Sequence, residues 1–351
     1  MNLPGGPFDS AQGGPSIVER ALVLTAGLGT RLRPLSDVRA KAAVPVNGET
    51  LARRVIRWLS GQGVRDLVLN LHHLPATIAA SVGDGSDLGA RVRYTWEQPA
   101  LGSAGGPRRA LPLLFDAGEP PEGRIQDAGR IPDAGTFIIV NGDTLTDVDL
   151  RAMLAHHQQC GAAVTMALIP NPRPDQYGGV RVSDDGWVTG FTRRGQAGES
   201  YHFIGVQIAA ARVFAGLEDG VPAETVNELY PRLIAREPAG IAAFRCGASF
   251  RDIGTPADYL ATSAELAGIE GDRMACGARV RIDDSARVLR TAVWDDVTIG
   301  PGAVLEDCIL GDGAQVPGGA RYTRCAIVPA GTRAAAADER IDGGLLIRSI
   351  D

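Results

Sequence analysis

Apolar positions along the chain fall into short continuous runs separated by amphipathic stretches. The runs Ala21–Ala26, Asp66–His72, Arg91–Glu97, Thr136–Asn141 and Ala162–Ile169 read as strands. Between them Leu51–Ser60, Leu74–Ser81, Gly106–Leu114 and Leu150–Cys160 carry helical spacing. Strands alternating with helices predict a largely parallel sheet covered on both faces. Ligands of such sheets sit beyond the carboxyl ends of the strands. That rule selects three segments for chemistry: Gly27 to Arg31, Glu97 to Gly106 and Asn141 to Thr144. From Gly178 to Gly254 the pattern changes to strands and turns, with one helix near Glu224–Arg236, and a further helix spans Pro256–Ala267.

Beyond that helix the chain repeats itself. Ile282, Ile299 and Val316 are 17 residues apart, as are Ala286, Ala303 and Ala320, then Val288, Leu305 and Tyr322, then Val293, Leu310 and Ile327. Each unit sets a small alanine four positions after an aliphatic residue. One coil of a three-sided parallel β-helix takes about 18 residues, with a small residue at the tight corner. The repeat therefore predicts about three stacked coils.

Composition narrows the class. The 351 residues exceed one comfortable core, which favours two domains. A formal charge of -6 argues against sequence-independent nucleic-acid binding but leaves room for an anionic substrate held by local cations. The five cysteines form no C-x-x-C pair and read as free thiols of a cytoplasmic protein. No apolar run approaches the roughly 20 residues of a membrane helix, and the first residues lack the pattern of a signal peptide.

The first candidate motif is Leu24-Thr-Ala-Gly-Leu-Gly-Thr-Arg-Leu-Arg-Pro34, with Lys41 ten residues beyond Arg31. A glycine turn between strand and helix exposes backbone N–H groups that a phosphate can approach closely. It is neither the G-x-G-x-x-G fingerprint nor a P-loop, and a simple turn with two solvated cations is the alternative. The second is Glu97-Gln-Pro-Ala-Leu-Gly-Ser-Ala-Gly-Gly106. A carboxylate only accepts hydrogen bonds, so Glu97 suits a base edge rich in N–H donors; guanine offers such an edge, and a strand-end surface acid is the competing reading. The third is Asn141-Gly-Asp-Thr144, either a magnesium position or a plain β-turn. The fourth is Phe250-Arg-Asp-Ile-Gly-Thr-Pro-Ala-Asp-Tyr-Leu260, in which Thr255 and Pro256 read as helix cap and first helical residue.

These four strings resemble, in order, the G-x-G-T-R-L-x-P…K-P, E-x-x-L-G-T-A-G, G-D and W-x-D-I-G-T-P-x-x-Y-L segments of the sugar-1-phosphate nucleotidyltransferases. The closest resemblance is to mannose-1-phosphate guanylyltransferase-like proteins that carry a C-terminal hexapeptide-repeat β-helix. Ala26 and Ala42 stand where that family has glycine and proline, Ser103 where it has threonine, and Phe250 where it has tryptophan. The resemblance implies an α/β fold: a Rossmann-like, mostly parallel nucleotidyltransferase domain followed by a short left-handed parallel β-helix. It divides the chain into a flexible tail (1–20), the nucleotidyltransferase domain (21–262), a linker (263–275), the β-helix (276–333) and a C-terminal tail (334–351). It also implies transfer of a nucleotidyl group from a nucleoside triphosphate to a sugar 1-phosphate, with pyrophosphate released.

By the same resemblance Arg31 and Lys41 are the catalytic cations. Leu24, Ala26, Gly27, Gly29, Thr30, Glu97, Gly102 and Ser103 bind the nucleotide, and Asp143 and Asp252 hold Mg2+. Gly178 and Gly179, in Tyr177-Gly-Gly-Val180, line the sugar-phosphate site with Arg194, whose neighbour Arg193 replaces the glutamate of F-x-E-K-P. GTP and mannose 1-phosphate are the expected substrates, with uridylyl-, thymidylyl- and heptose guanylyltransferases as alternatives, and a homo-oligomer through the coils is expected. Two other classes compete: a β-helix acyltransferase, disfavoured because all five histidines precede the coils, and a non-catalytic nucleotide-sugar-binding subunit, disfavoured by the retained charges. The 115–135 stretch, rich in Gly, Pro and acids, reads as a surface insertion.

Overall fold

A computed structural model describes residues 18–115, 135–196, 198–270, 274, 276–332 and 334–350. Residues 1–17 of the expected 1–20 tail and most of the 115–135 insertion lie outside these residues, and Arg20, the last residue of that tail, already belongs to the first strand.

Four strands form the parallel heart of a nine-stranded sheet: Thr136–Asn141, Arg20–Leu24, Asp66–Leu71 and Arg91–Trp96, side by side in that order. Their residues alternate between two cores. Ala21, Val23, Leu67, Leu69, Ile138 and Val140 face one layer, while Leu22, Val68, Phe137 and Ile139 face the other. Burial on both faces is why these strands read as continuous apolar runs. Tyr201–Ala210 then pairs antiparallel with Thr136–Asn141 and with Val164–Pro170, and Ile241–Arg245 adds in parallel to the latter. The sheet is mixed in its second half because the chain returns from Val164–Pro170 to Tyr201–Ala210 through the antiparallel pair Gly179–Val182 and Val188–Thr192, with no helical crossover between them.

The helices follow their local chemistry. Leu51–Gly61 buries Leu51, Ala52, Val55, Ile56 and Leu59, the stripe expected of a 3.6-residue period. Leu150–Cys160 starts at Asp149, whose carboxylate accepts from the Arg151 and Ala152 amides, and stops at Gly161 with φ 64°. At Pro256–Glu270 the Thr255 hydroxyl accepts from the Asp258 amide at 3.1 Å, and Asp258 Oδ2 accepts from the Thr255 amide at 3.1 Å. This reciprocal box is the cap read from the sequence.

The repeat forms three short parallel sheets. Ile282 pairs with Ile299 and Ile299 with Val316; Val288 with Leu305 and Leu305 with Tyr322; Val293 with Leu310 and Leu310 with Ile327. Three of the sequence columns are thus ladder columns, and Ala303, from the fourth, is fully buried with them. Non-glycine residues take the left-handed region at 17-residue intervals, Arg290, Asp307 and Arg324 among them, and Arg290 bonds to Asp307 at 2.8 and 2.9 Å.

Two boundaries differ from expectation. The helix begun at Pro256 runs to Glu270, so most of the supposed linker 263–275 is helical, with Leu266 and Ala267 packed rather than solvated. The segment 334–351 is no loose tail: Leu345–Ser349 adds antiparallel to Cys325–Pro329 and is itself edged by Glu339–Asp342. It satisfies the backbone of Cys325–Pro329, the last strand of the repeat, and buries Leu345, Leu346 and Ile347. Leu346, 1% exposed in the cluster shared with Leu32, Leu35 and Trp294, is a direct test. Leu346→Ala is expected to cost about 2–5 kcal/mol of unfolding free energy, read from the urea midpoint.

Candidate active site

The parallel register brings four strand ends to one edge: Leu24 lies opposite Asn70 and Asn141, and Asn70 opposite Thr95. The residues that follow each strand therefore share one rim. Gly29 turns the chain with φ 62°, and three short 3-10 turns, Thr30–Leu32, Leu35–Asp37 and Lys41–Ala43, carry it on to the second cation. Gly142 donates its amide to the Leu24 carbonyl at 2.9 Å. A side chain there would meet that carbonyl oxygen and the Thr25 methyl at 2.8 Å, so only glycine lets Asp143 approach the opening loop.

Asp252 reaches the same point from more than a hundred residues away. The short strand Phe250–Asp252 pairs antiparallel with Thr144–Thr146, setting Asp252 opposite Thr144. Lys41 Nζ then lies 2.6 Å from Asp143 Oδ2 and 3.8 Å from Asp252 Oδ1, and Arg31 Nη2 lies 3.9 Å from Asp252 Oδ2. The Lys41 side chain is nearly buried, whereas Arg31 is exposed. Burial raises the Asp252 carboxyl above its usual value, Lys41 opposes that shift, and neighbouring Asp143 adds to it. Gly254 leaves room for the arrangement, since a Cβ there would stand 3.0 Å from Arg31 Nη1 and 3.1 Å from Asp252 Oδ2.

Two carboxylates around one ammonium are an oxygen-donor pair suited to a hard divalent cation. Magnesium commonly takes one or two protein carboxylates and completes its shell with phosphate oxygens and water. Among the described residues no group of three or more His, Cys, Asp or Glu gathers as a self-sufficient metal centre.

The nucleotide-side residues divide. Leu24, Ala26, Gly27, Gly29 and Thr30 lie along the rim, with Gly27 in open space and Leu28 exposed. Glu97 does not. Its side chain is fully buried, Oε1 accepts from Asn70 Nδ2 at 2.7 Å, and Oε2 accepts from the Leu101 amide at 2.8 Å. A carboxylate so occupied organises its own loop and does not present itself to a base, which corrects the expectation drawn from its acceptor chemistry. Gly102, at φ 75°, and Ser103 open the helix Gly102–Phe115, four residues earlier than the apolar spacing indicated. Ser103 Oγ donates to Glu224 Oε2 at 2.5 Å and accepts from the Thr225 amide at 2.9 Å, so the 221–225 segment packs against this helix start.

Sequence reasoning missed Asn70. Buried at 2% exposure, it accepts from the Thr25 amide at 2.7 Å while donating to Glu97, and so ties the opening loop to the Glu97 loop. Gly106 makes the space, for a Cβ there would meet Glu97 Oε1 at 2.8 Å and Asn70 Nδ2 at 2.9 Å. The available signal was a polar residue inside an apolar strand.

In the turn expected to take the sugar phosphate, Gly178 and Gly179 lead into the strand Gly179–Val182, and the Gly179 amide donates to Thr192 Oγ1 at 3.0 Å. Arg194 stands exposed in the turn after Val188–Thr192. Tyr177 packs against His202 with ring centroids 4.4 Å apart and the planes tilted by 37°, and His202 meets Phe250 at 4.6 Å, so an aromatic cluster bridges this turn to the Asp252 strand.

The nucleotidyl transferase family model matches residues 20–268, which span the sheet and all four charged residues. The chain belongs to this family. It is 26% identical over 310 residues to mannose-1-phosphate guanylyltransferase of Mycobacterium tuberculosis, covering 85% of this chain and 81% of that protein. It is 32% identical over 205 residues to N-acetylmuramate alpha-1-phosphate uridylyltransferase of Neisseria meningitidis, covering 57% of this chain and 79% of the other. The fold matches the crystal structure of HddC from Yersinia pseudotuberculosis with a TM-score of 0.58 at 21% identity, over 71% of this chain and 99% of that one.

Two outcomes follow from this geometry. Gly142→Ala is expected to lower turnover at least about tenfold in a folded protein, because displacing the turn by even an ångström misplaces Asp143; steady-state kinetics check it. Burial pushes His202 down to about 4. Its unfolded value is about 6.5, so the native state binds fewer protons between the two and stability is lost as pH falls from 6.5 towards 4, by about 2 kcal/mol. Urea unfolding at pH 7 and pH 4.5 should show this slope, and His202→Phe should flatten it.

Proposed function

We propose that the chain is a magnesium-dependent mannose-1-phosphate guanylyltransferase, joining GTP to mannose 1-phosphate to give GDP-mannose and pyrophosphate. The convergence of Lys41 and Arg31 on Asp143 and Asp252 at the carboxyl edge of the sheet carries this reading. A phosphate oxygen of the sugar 1-phosphate forms a bond to the α-phosphorus as the bond from that phosphorus to the pyrophosphate oxygen breaks. The nucleophile is already anionic, so no general base is needed. Lys41 and Arg31 balance the charge gathering on the departing pyrophosphate, and the glycine turn Gly27–Gly29 offers backbone N–H groups to the triphosphate. Asp143 and Asp252 would hold the magnesium ion, which when bound supplies charge neutralisation between the two substrates' phosphates. Gly178, Gly179 and Arg194 form the sugar-phosphate side in this reading.

GTP and mannose rest on the relatives, not on Glu97. Mannose-1-phosphate guanylyltransferase relatives of Mycobacterium tuberculosis and Oryza sativa span 85% and 88% of the chain at 26% identity, and UTP--glucose-1-phosphate uridylyltransferase of Synechocystis spans 85% at 25%, whereas the uridylyltransferase for N-acetylmuramate 1-phosphate spans 57% and the heptose 1-phosphate guanylyltransferase of Aneurinibacillus thermoaerophilus 70%. The C-terminal coils belong to the reading as a left-handed parallel β-helix that pairs chains into a homo-oligomer. Exposed Ile282 and Leu289 on its first coil support that role.

Pyrophosphate release measured with four nucleoside triphosphates against mannose, glucose, heptose and N-acetylamino-sugar 1-phosphates should be fastest with GTP and mannose 1-phosphate. A faster rate with UTP or dTTP would overturn the substrate assignment. Asp143→Ala and Arg31→Ala are each expected to lower kcat at least about a hundredfold; wild-type turnover in either variant rejects its role.

A further inference from the structure

Between Arg31 and Lys41 the chain has no regular ladder of its own, only short turns, yet it carries both cations of the proposed reaction. What holds it lies in the C-terminal repeat. Leu32, Leu35, Val44 and Val46 are buried in one cluster with Trp294, Ile309, Val328 and Leu346.

Arg39 stands two residues before Lys41. Its guanidinium donates to Asp312 Oδ2 at 2.5 Å and Oδ1 at 2.8 Å, and to Asp295 Oδ2 at 2.6 Å. It also lies over the Trp294 ring, 5.6 Å from the centroid. Asp295 and Asp312 occupy the same position in successive coils, and the Asp295 amide donates to Asp312 Oδ1 at 3.1 Å, so both carboxylates are presented by one rigid stack. On the other side of Lys41 the Tyr259 hydroxyl donates to the Pro45 carbonyl and accepts from Trp294 Nε1 at 2.8 Å. Lys41 is therefore bracketed along the chain, at Arg39 and at Pro45, by two anchors that meet at Trp294.

We propose that the C-terminal coils are a positioning element for catalysis, and that Arg39, gripped by Asp295 and Asp312, is the positioning residue that sets Lys41 against Asp143 and Asp252. A planar guanidinium gripped by two carboxylates in three bonds fixes direction as well as distance, which a single ammonium contact would not. Displacing Lys41 by about an ångström would cost turnover more than substrate binding.

This inference rests on the proposed transferase reading, and the test separates the two. Wild type, Asp312→Asn, Asp312→Glu and Asp307→Asn are compared with GTP and mannose 1-phosphate, each well below its unfolding midpoint. Asp307 makes the same kind of coil-to-coil arginine bond, to Arg290, but on an exposed corner. Asp312→Asn is expected to lower kcat at least about tenfold with KM for GTP within about threefold, Asp312→Glu to recover most of the loss, and Asp307→Asn to match wild type. Amide hydrogen exchange gives a reading independent of activity: the Ala43 and Val44 amides, bonded to the Ala40 and Lys41 carbonyls, should exchange faster in Asp312→Asn alone. Equal kcat in wild type and Asp312→Asn overturns the proposal, as does an equal loss in Asp307→Asn. Failure of Asp312→Asn to fold overturns it too, since the bond would then serve folding and not turnover. A wild type without pyrophosphate release against any substrate pair rejects the transferase reading, and unchanged exchange in Asp312→Asn then rejects the grip on Lys41 as well.

Discussion

One ammonium group makes the site possible. Asp143 and Asp252 arrive from separate parts of the chain and meet at a partly buried point, where two carboxylates alone would repel each other and one would tend to protonate. Lys41 lies within ion-pairing distance of both. At the effective dielectric near a protein surface, each contact of this kind is worth about 4 kcal/mol of Coulomb energy before desolvation is subtracted. The arrangement is thus a preformed field of alternating charge at a strand edge, with Arg31 outside it in solvent, available to an incoming anion.

Glycine is what lets these charges come so close. Gly142 and Gly106 each sit where a methyl group would collide with backbone or with a polar side chain of a neighbouring loop, and one at Gly254 would crowd Arg31 and Asp252. Their role is space between loops more than unusual backbone angles: none of the three is among the positive-φ residues. Asn70 and buried Glu97 add a second level of order by bonding loop to loop beneath the rim. The C-terminal repeat adds a third, from outside the sheet, through the cluster around Trp294. In this family member the C-terminal unit is continuous in packing with the segment that follows the glycine turn.

The candidate site was legible in the sequence where chemistry and local pattern coincide. Arg31 and Lys41 follow a glycine turn, Asp143 follows a buried strand, and Asp252 precedes a capped helix; each was marked by its neighbours along the chain. Glu97 was misread because a strand-end acid looks the same whether it faces solvent, a ligand or an interior asparagine. Its two partners, Asn70 and Leu101, are chosen by how strands lie side by side. Arg39 was passed over for the same reason, since nothing near it in the chain distinguishes it from a solvated arginine, and its carboxylates lie over two hundred residues away. The last strands were taken for a tail because a segment of five residues has too little pattern to declare itself without the ladder it completes.

By itself the amino-acid order determined the alternation of strands and helices, the 17-residue repeat and the identity of the four charged groups. Those properties depend on residues close together along the chain, where spacing alone dictates which side chains share a face. Tertiary structure alone decided which carboxylates are neighbours, which acid is buried and which surface braces the cations. These are matters of distance between remote segments, and charge interactions and burial vary with distance in space, not with separation in sequence.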